Sequence, residues 1–169
     1  MFIDLSKLKQ QLKKNEQFVL EKRFSDKLLN ETNGHFLEPC EVHITVEHTG
    51  RLYIAQGNLK TKIKLQCSRC LKDTVYNIDT GFDFVLVEAI YEHEFSEEED
   101  DIIFFQDTLI DITPIVQETV LVNLPIRILC KEDCKGLCPK CGVDKNTEQC
   151  NCQERDIDPR WEKLKDLRK

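Results

Sequence analysis

Eight of the nine cysteines in this 169-residue chain fall in closely spaced pairs: Cys67/Cys70, Cys130/Cys134, Cys138/Cys141 and Cys150/Cys152. Cysteines two residues apart suit a tight knuckle in which two thiolates converge on one tetrahedral ion. Four such ligands saturate a structural zinc and leave no open position. The clearest segment is Cys138-Pro-Lys-Cys141-Gly142, because a glycine after the second ligand permits a left-handed backbone that turns amides toward sulfur. Cys150-Asn-Cys152 can complete a local set, with a one-residue spacing that is less usual for zinc.

The favoured pairing is sequential. Cys67, Cys70, Cys130 and Cys134 form a first zinc site across a 59-residue gap, and Cys138, Cys141, Cys150 and Cys152 form a second. Loop-closure entropy grows slowly with length, so the long-range site is feasible. A crossed pairing of 67/70 with 138/141 satisfies the same chemistry. A structural zinc contributes on the order of 10–16 kcal/mol of apparent binding energy in small fingers, enough to decide whether the C-terminal region folds.

Other chemistries fit these residues less well. A redox CxxC needs a helix N-terminus to lower the pKa of its nucleophile, and no helix signal follows Cys70. An iron–sulfur cluster on Cys130, Cys134, Cys138 and Cys141 uses the same donors. Cys40 reads as a small buried residue. His35, His43, His48 and His93 are scattered away from the cysteines, and no phosphate loop or nucleophile elbow is present, so the chain is expected not to be an enzyme.

The elements that must position these ligands are mainly strands. Val42, Ile44 and Val46 alternate with Glu41, His43, Thr45 and Glu47, the pattern of a half-buried strand with His43 facing outward. Thr49-Gly50 reads as a turn, Leu52 and Ile54 resume the alternation, and Gly57-Asn58 reads as a second turn or a bulge. Leu59, Ile63 and Leu65 continue it, and further strands are expected over 74–78 and 82–87. Short adjacent strands predict an antiparallel sheet. Leu5, Leu8 and Leu12 suggest a short N-terminal amphipathic helix. Thr113 as N-cap, Pro114 and Pro125 bracket a mostly buried helix, although 119–122 could also be strand. Trp161, Leu164 and Leu167 share one side of a short terminal helix.

The expected fold is therefore α+β: an antiparallel β-sheet core that could curl toward a barrel, few helices, and a C-terminal Cys-rich zinc-binding segment. Residues 1–129 make the β domain, with an exposed acidic loop over 92–101. Residues 130–169 make the zinc segment and terminal helix.

Composition bounds the setting. The chain carries 24 basic and 31 acidic residues, a formal charge of −7. Residues 81–111 hold eleven of the acids and no Lys or Arg, and the rest balances to 24 basic against 20 acidic. No apolar run reaches about 18 residues, and MFIDLSKLKQQLKK lacks the features of a secretory signal, so a cytoplasmic placement without membrane contact is expected. In that reducing setting clustered cysteines bind metal more often than they form disulfides.

The sequence LQCSRCL, an acidic stretch, then LPIRILCKEDCKGLCPKCGVDKNTEQCNC and DPRWEKLKDL resembles the YceD family of bacterial and plastid proteins, in its cysteine-rich branch. The resemblance runs through nearly the whole chain in the same order, and is most specific in CSRCL, GLCPKCG and DPRWEKL. It implies a non-enzymatic role in large ribosomal subunit biogenesis, supporting accumulation or processing of 23S rRNA. The implied partner is precursor RNA of the large subunit or a ribosomal protein, with no small-molecule substrate. Arg69, Lys72, Lys131, Lys135, Lys140 and Lys145 lie near the cysteines and are the candidate partner contacts. Two alternatives are a zinc-ribbon nucleic-acid-binding module in transcription and a CxxC thiol oxidoreductase.

Overall fold

The alternation of the 40s becomes β4, Cys40–Thr49, after β1 (Phe2–Asp4), β2 (Asn15–Lys22) and β3 (His35–Phe36). The computed structural model describes residues 1–10, 14–95 and 102–152. Cys40, Val42, Ile44 and Val46 point inward along β4, while His43 faces out and meets Glu41 at 2.7 Å. Next come β5 (Leu52–Gln66) and β6 (Asp73–Glu88), then β7 (Ile102–Phe105) and β8 (Leu109–Asp111). Two short α-helices, α1 (Ser6–Lys9) and α2 (Thr113–Val122), and two 3-10 segments, Asp26–Thr32 and Ala89–Glu94, complete the described elements.

The main sheet runs in the order β2-β4-β5-β6-β7, with β3 sharing an edge of β5 with β4, and β1 pairs with β8 in a separate two-stranded sheet. The fold is α+β and mostly antiparallel, as its sequence predicts. The curl toward a barrel is not taken up: the sheet is open, with β2 and β7 at its edges. One pair also departs from the antiparallel expectation, since β7 lies parallel to β6 through Val85↔Ile102 and Glu88↔Phe105. A parallel neighbour requires a crossover of a dozen or more residues, and residues 89–101 have that length. The acidic stretch expected as a plain loop thus begins with the 3-10 segment Ala89–Glu94, while residues 96–101 lie outside the described residues.

A second correction concerns Gly57-Asn58. Neither the expected turn nor the alternative bulge forms, and β5 passes straight through these residues, pairing with β6 without a slip from Leu52↔Val87 to Gln66↔Asp73. Gly57 stands opposite Phe82, whose ring lies over it so closely that an added Cβ would come within 2.5 Å of the ring. An aromatic ring covering a cross-strand glycine fills the space its missing side chain leaves. Likewise 74–78 and 82–87 are halves of the single strand β6. Over its 15 residues β5 extends for about 50 Å at the usual strand rise.

The inner face of this sheet carries Tyr53, Leu59, Ile63 and Leu65 of β5 with Ile78, Phe84 and Leu86 of β6. It is covered by Ile3, Leu5 and Leu8 from the N-terminal elements, Leu29 of the first 3-10 segment, and Ile112, Val116 and Val120 around α2. Leu12 lies outside the described residues, as do Trp161, Leu164 and Leu167 of the expected terminal helix. The segment 119–122 is helical. Its cap is displaced by one residue from the expected Thr113: Ile112 holds the N-cap position, and the Thr113 N–H donates to Asp111 Oδ1 at 2.9 Å. Hydrogen bonds from the Thr113 side chain and backbone hold the Asp111 carboxyl at about 2, below the usual carboxylate range.

The contact over Gly57 can be separated from the general cost of glycine in a strand. Gly57→Ala is expected to destabilise by about 1–2 kcal/mol because Phe82 must shift. At Gly81 a Cβ would meet nothing closer than 3.7 Å, so Gly81→Ala should be neutral or stabilising by up to about 1 kcal/mol. Urea midpoints of the two variants provide the comparison.

Candidate metal centres

Because β5 and β6 pair to their last residues, Cys67-Ser68-Arg69-Cys70 sits at the tip of a long hairpin. The Cys67 N–H closes the tip on Lys72 O at 2.9 Å, and the Leu71 N–H bonds Cys67 O at 2.9 Å. No helix follows Cys70; the chain turns directly into β6. The C-terminal segment folds back against this tip. Ser68 donates to Ile128 O from both its N–H and its hydroxyl, each at 2.9 Å. Leu137 N–H bonds Arg69 O at 3.1 Å, and Arg69 Nη1 returns to Cys134 O at 2.6 Å. Gly136, at φ +73°, makes the close approach possible, since a Cβ there would fall 2.9 Å from Arg69 O.

These contacts bring Cys67, Cys70, Cys130 and Cys134 into one group, and Cys138, Cys141, Cys150 and Cys152 into another. Within each group the sulfurs all lie within 4.8 Å of one another. The structure builds the sequential grouping, and the crossed one does not occur. In the first centre Cys70 and Cys130 sulfurs are 3.5 Å apart and those of Cys67 and Cys134 3.8 Å. A disulfide needs about 2.0 Å, whereas four sulfurs on a tetrahedral zinc at about 2.3 Å lie about 3.8 Å apart. The donor set and spacing fit a tetrathiolate metal centre.

The two CxxC turns share one backbone design. Gly142 N–H bonds Cys138 O at 2.9 Å, the counterpart of Leu71 on Cys67, and both following residues have positive φ: 75° for Gly142 and 59° for Leu71. A leucine in this region is strained by about 1–2 kcal/mol, and its side chain is largely exposed, so the knuckle rather than packing holds it there. The turn directs amides at the first sulfur. Burial would raise the Cys67 thiol, but the N–H groups of Cys70, Arg69 and Cys130 bring it down to about 6. N–H groups of Cys141 and Lys140 hold Cys138 at about 6. Their neighbours move the other way: Cys130 is pushed up to about 12 by the adjacent Cys70 thiol and by burial, and Cys152 to about 11 by Cys141 and by burial. Backbone donors favour a thiolate at one corner and like charge opposes it at the next. A cation in the centre removes that conflict.

The first centre is the more enclosed, with Cys67, Cys70 and Cys134 buried beside Leu129 and Leu137; in the second, Cys141 and Cys152 are exposed. Cys40, the ninth cysteine, is buried in the main core, and burial pushes its thiol up. Of the candidate partner contacts, Arg69 is engaged with Cys134 O, Lys72 pairs with Asp144 at 2.6 Å, and Lys131 lies 3.7 Å from Asp133. Lys135, Lys140 and Lys145 are exposed, with no ion-pair partner among the described residues.

Sequence reasoning overlooked Gly136, Leu71, Asp144 and Asn146. Asn146 donates Nδ2 to the Cys134 sulfur at 3.5 Å and accepts from Lys135 N–H at 2.9 Å. The local signal was the Asp-x-Asn turn: the Asn146 N–H donates to Asp144 Oδ1 at 2.9 Å.

An open, mostly antiparallel sheet whose hairpin tip and C-terminal ribbon assemble two tetracysteine groups that could hold metal ions defines a class of small cysteine-ribbon proteins. Within it, the chain belongs to the YceD family, described as "Large ribosomal RNA subunit accumulation protein YceD", whose profile matches residues 55–168. The chain is similar to an uncharacterized protein of Mycobacterium tuberculosis, 28% identical over 127 residues, covering 75% of this chain and 61% of the relative. It is 35% identical over 106 residues to the uncharacterized protein YlbN of Bacillus subtilis, covering 62% and 60% respectively. It is also 27% identical over 156 residues to "Large ribosomal RNA subunit accumulation protein YCED homolog 1, chloroplastic" of Arabidopsis thaliana, covering 77% of this chain and 49% of that one. The chain thus spans about half to three fifths of these relatives' own lengths. No solved structure gave a significant match. Among the described residues no helix is long and apolar enough to cross a membrane.

Gly136→Ala is expected to destabilise by about 2–3 kcal/mol, combining left-handed strain with the clash on Arg69 O, and to speed metal loss to a chelator. Gly142→Ala, with open space around it, should cost only the strain, about 1 kcal/mol. Leu71→Gly should leave stability unchanged or raise it by up to about 1 kcal/mol. Melting curves with and without chelator measure all three.

Proposed function

We propose that the chain is a non-enzymatic factor supporting accumulation of large-subunit ribosomal RNA, in which two structural zinc ions hold the ribbon that binds precursor RNA. The family description and the name of the plant relative supply the process. The observation that carries the contact surface is a contrast between lysines. Those of the sheet face are matched by carboxylates: Lys60 with Asp79 at 3.2 Å, Lys62 with Glu38 at 2.7 Å, Lys64 with Asp73 at 3.2 Å. Among the described residues Lys135, Lys140 and Lys145 on the ribbon have no such partner, so they can meet phosphate without first breaking an ion pair there. The eight clustered cysteines belong to closed four-ligand sets, which suits a supporting role rather than catalysis. Free thiols at this density belong in a reducing compartment, and the cytoplasm is the placement we propose.

A second reading, in which a basic ribosomal protein is the partner, is favoured by the chain's charge of −7 and its acidic stretch. Two loaded tetrathiolate centres add to that acidity, each with a formal charge of about −2.

Metal analysis of the purified protein should give two zinc per chain and no visible colour; visible absorbance with iron would replace zinc in this reading. Exchanging Lys135, Lys140 and Lys145 for Ala together should weaken binding to large-subunit precursor RNA. It should also lower the slope of log affinity against log salt by about 2. An unchanged slope, with basic ribosomal proteins recovered after crosslinking instead, would favour the second reading.

A further inference from the structure

Two of the first centre's supporting groups, Asn146 and Asp144, stand on the second centre's chain segment. Between the second-centre ligands Cys141 and Cys150 runs a loop, residues 142–149, and its polar side chains turn toward the first centre. Asn146 bonds the Cys134 sulfur, and its own amide is oriented by Asp144 Oδ1 at 2.6 Å. The other oxygen of Asp144, which is well shielded from solvent, pairs at 2.6 Å with Lys72, two residues beyond the ligand Cys70. The loop is joined to the segment between the two centres by a Leu137↔Asp144 bridge, by Cys138 N–H on Val143 O at 2.8 Å, and by Lys145 N–H on Gly136 O at 3.0 Å.

We infer that the two metal centres bind their ions with positive coupling, carried by Asp144 and Asn146. This rests on the reading that both cysteine groups hold metal. An ion in the second centre fixes both ends of the 142–149 loop and so presents Asn146 to Cys134 and Asp144 to Lys72. An ion in the first centre fixes Cys134 and Gly136, to which Asn146 and Lys145 of the loop are hydrogen-bonded. Each therefore lowers the ordering cost of the other, and the effect is reciprocal. Groups hydrogen-bonded to metal ligands change metal affinity by about 10–100-fold when removed, and a coupling factor of that size is expected.

Cobalt(II) alone is the probe, since its thiolate charge-transfer absorbance reports occupied tetrathiolate sites. Titration against a competing chelator yields the overall two-ion constant of the intact protein. It also gives single-site constants from Cys141→Ser/Cys152→Ser, which keeps the first centre, and from Cys67→Ser/Cys70→Ser, which keeps the second. The two-ion constant should exceed the product of the single-site constants by about 10–100-fold. Asn146→Ala keeps all eight ligands and so covers the case in which a ligand variant fails to fold. It should lower the two-ion constant about 10-fold and let the singly loaded species accumulate in native mass spectrometry. If the product equals the two-ion constant, or Asn146→Ala leaves the species distribution unchanged, the coupling is overturned while the metal centres stand. If the intact protein shows no charge-transfer absorbance, the metal reading falls and the coupling with it.

Discussion

Four thiols within 4.8 Å of one another are an electrostatic problem before they are a binding site. Backbone N–H groups aimed at Cys67 and Cys138 favour ionisation there, while crowding at Cys130 and Cys152 resists it. Left to itself such a cluster must hold protons or spread apart. The first cluster cannot spread without releasing the hairpin tip from the ribbon, because Ser68, Arg69 and Gly136 are bonded across that boundary. The apolar contribution there is small: a few buried residues around Leu129 and Leu137, against the continuous core beneath the sheet. The placement of the ribbon therefore depends on these hydrogen bonds, and on ligand chemistry where the cluster holds an ion, more than on hydrophobic burial.

The sheet makes that chemistry possible by its length. With β5 and β6 paired without interruption from Leu52↔Val87 to Gln66↔Asp73, the knuckle is held at the end of a stiff two-stranded arm. The pairing survives Gly57 because Phe82 covers it. At the other end of the arm, Tyr53 is packed between His48 and Phe105 and donates to Glu88 at 3.3 Å. Burial beside that carboxylate pushes the Tyr53 hydroxyl up to about 12. The rooted end is thus fixed by aromatic packing and the free end by hydrogen bonds to the ribbon beside the first cysteine group.

Much of this was readable in the sequence where the signal is local. The CxxC spacing, the glycine after Cys141 and the alternation of β4 each depend on residues within one turn or one strand. The longer strands were hidden because Gly57-Asn58 has turn chemistry, and only the partner strand shows that a ring occupies the gap. Strand β2, NEQFVLEK, was not recognised: it is an edge strand with half-buried Phe18 and Leu20 among charged and polar residues. The parallel placement of β7 is set by a crossover whose composition gives no hint of where it returns. Asn146 and Asp144 have local turn signatures, but their contacts with Cys134 and Lys72 join positions far apart in sequence.

The order of these elements along the chain has a consequence for synthesis. Among the described residues, every buried one of the main core lies at or before Val120, and the last side chain packed against it is Ile128. Domains emerging from the ribosome tend to fold as units from the N-terminal side, so the sheet can be complete while residues 130–152 are still unmade. During that interval Cys67 and Cys70 stand at the hairpin tip as a two-thiolate half-site, shaped by the turn but lacking its other two ligands. Capture of an ion closing that half-site would then be a late event in maturation, marking a chain whose body has already formed.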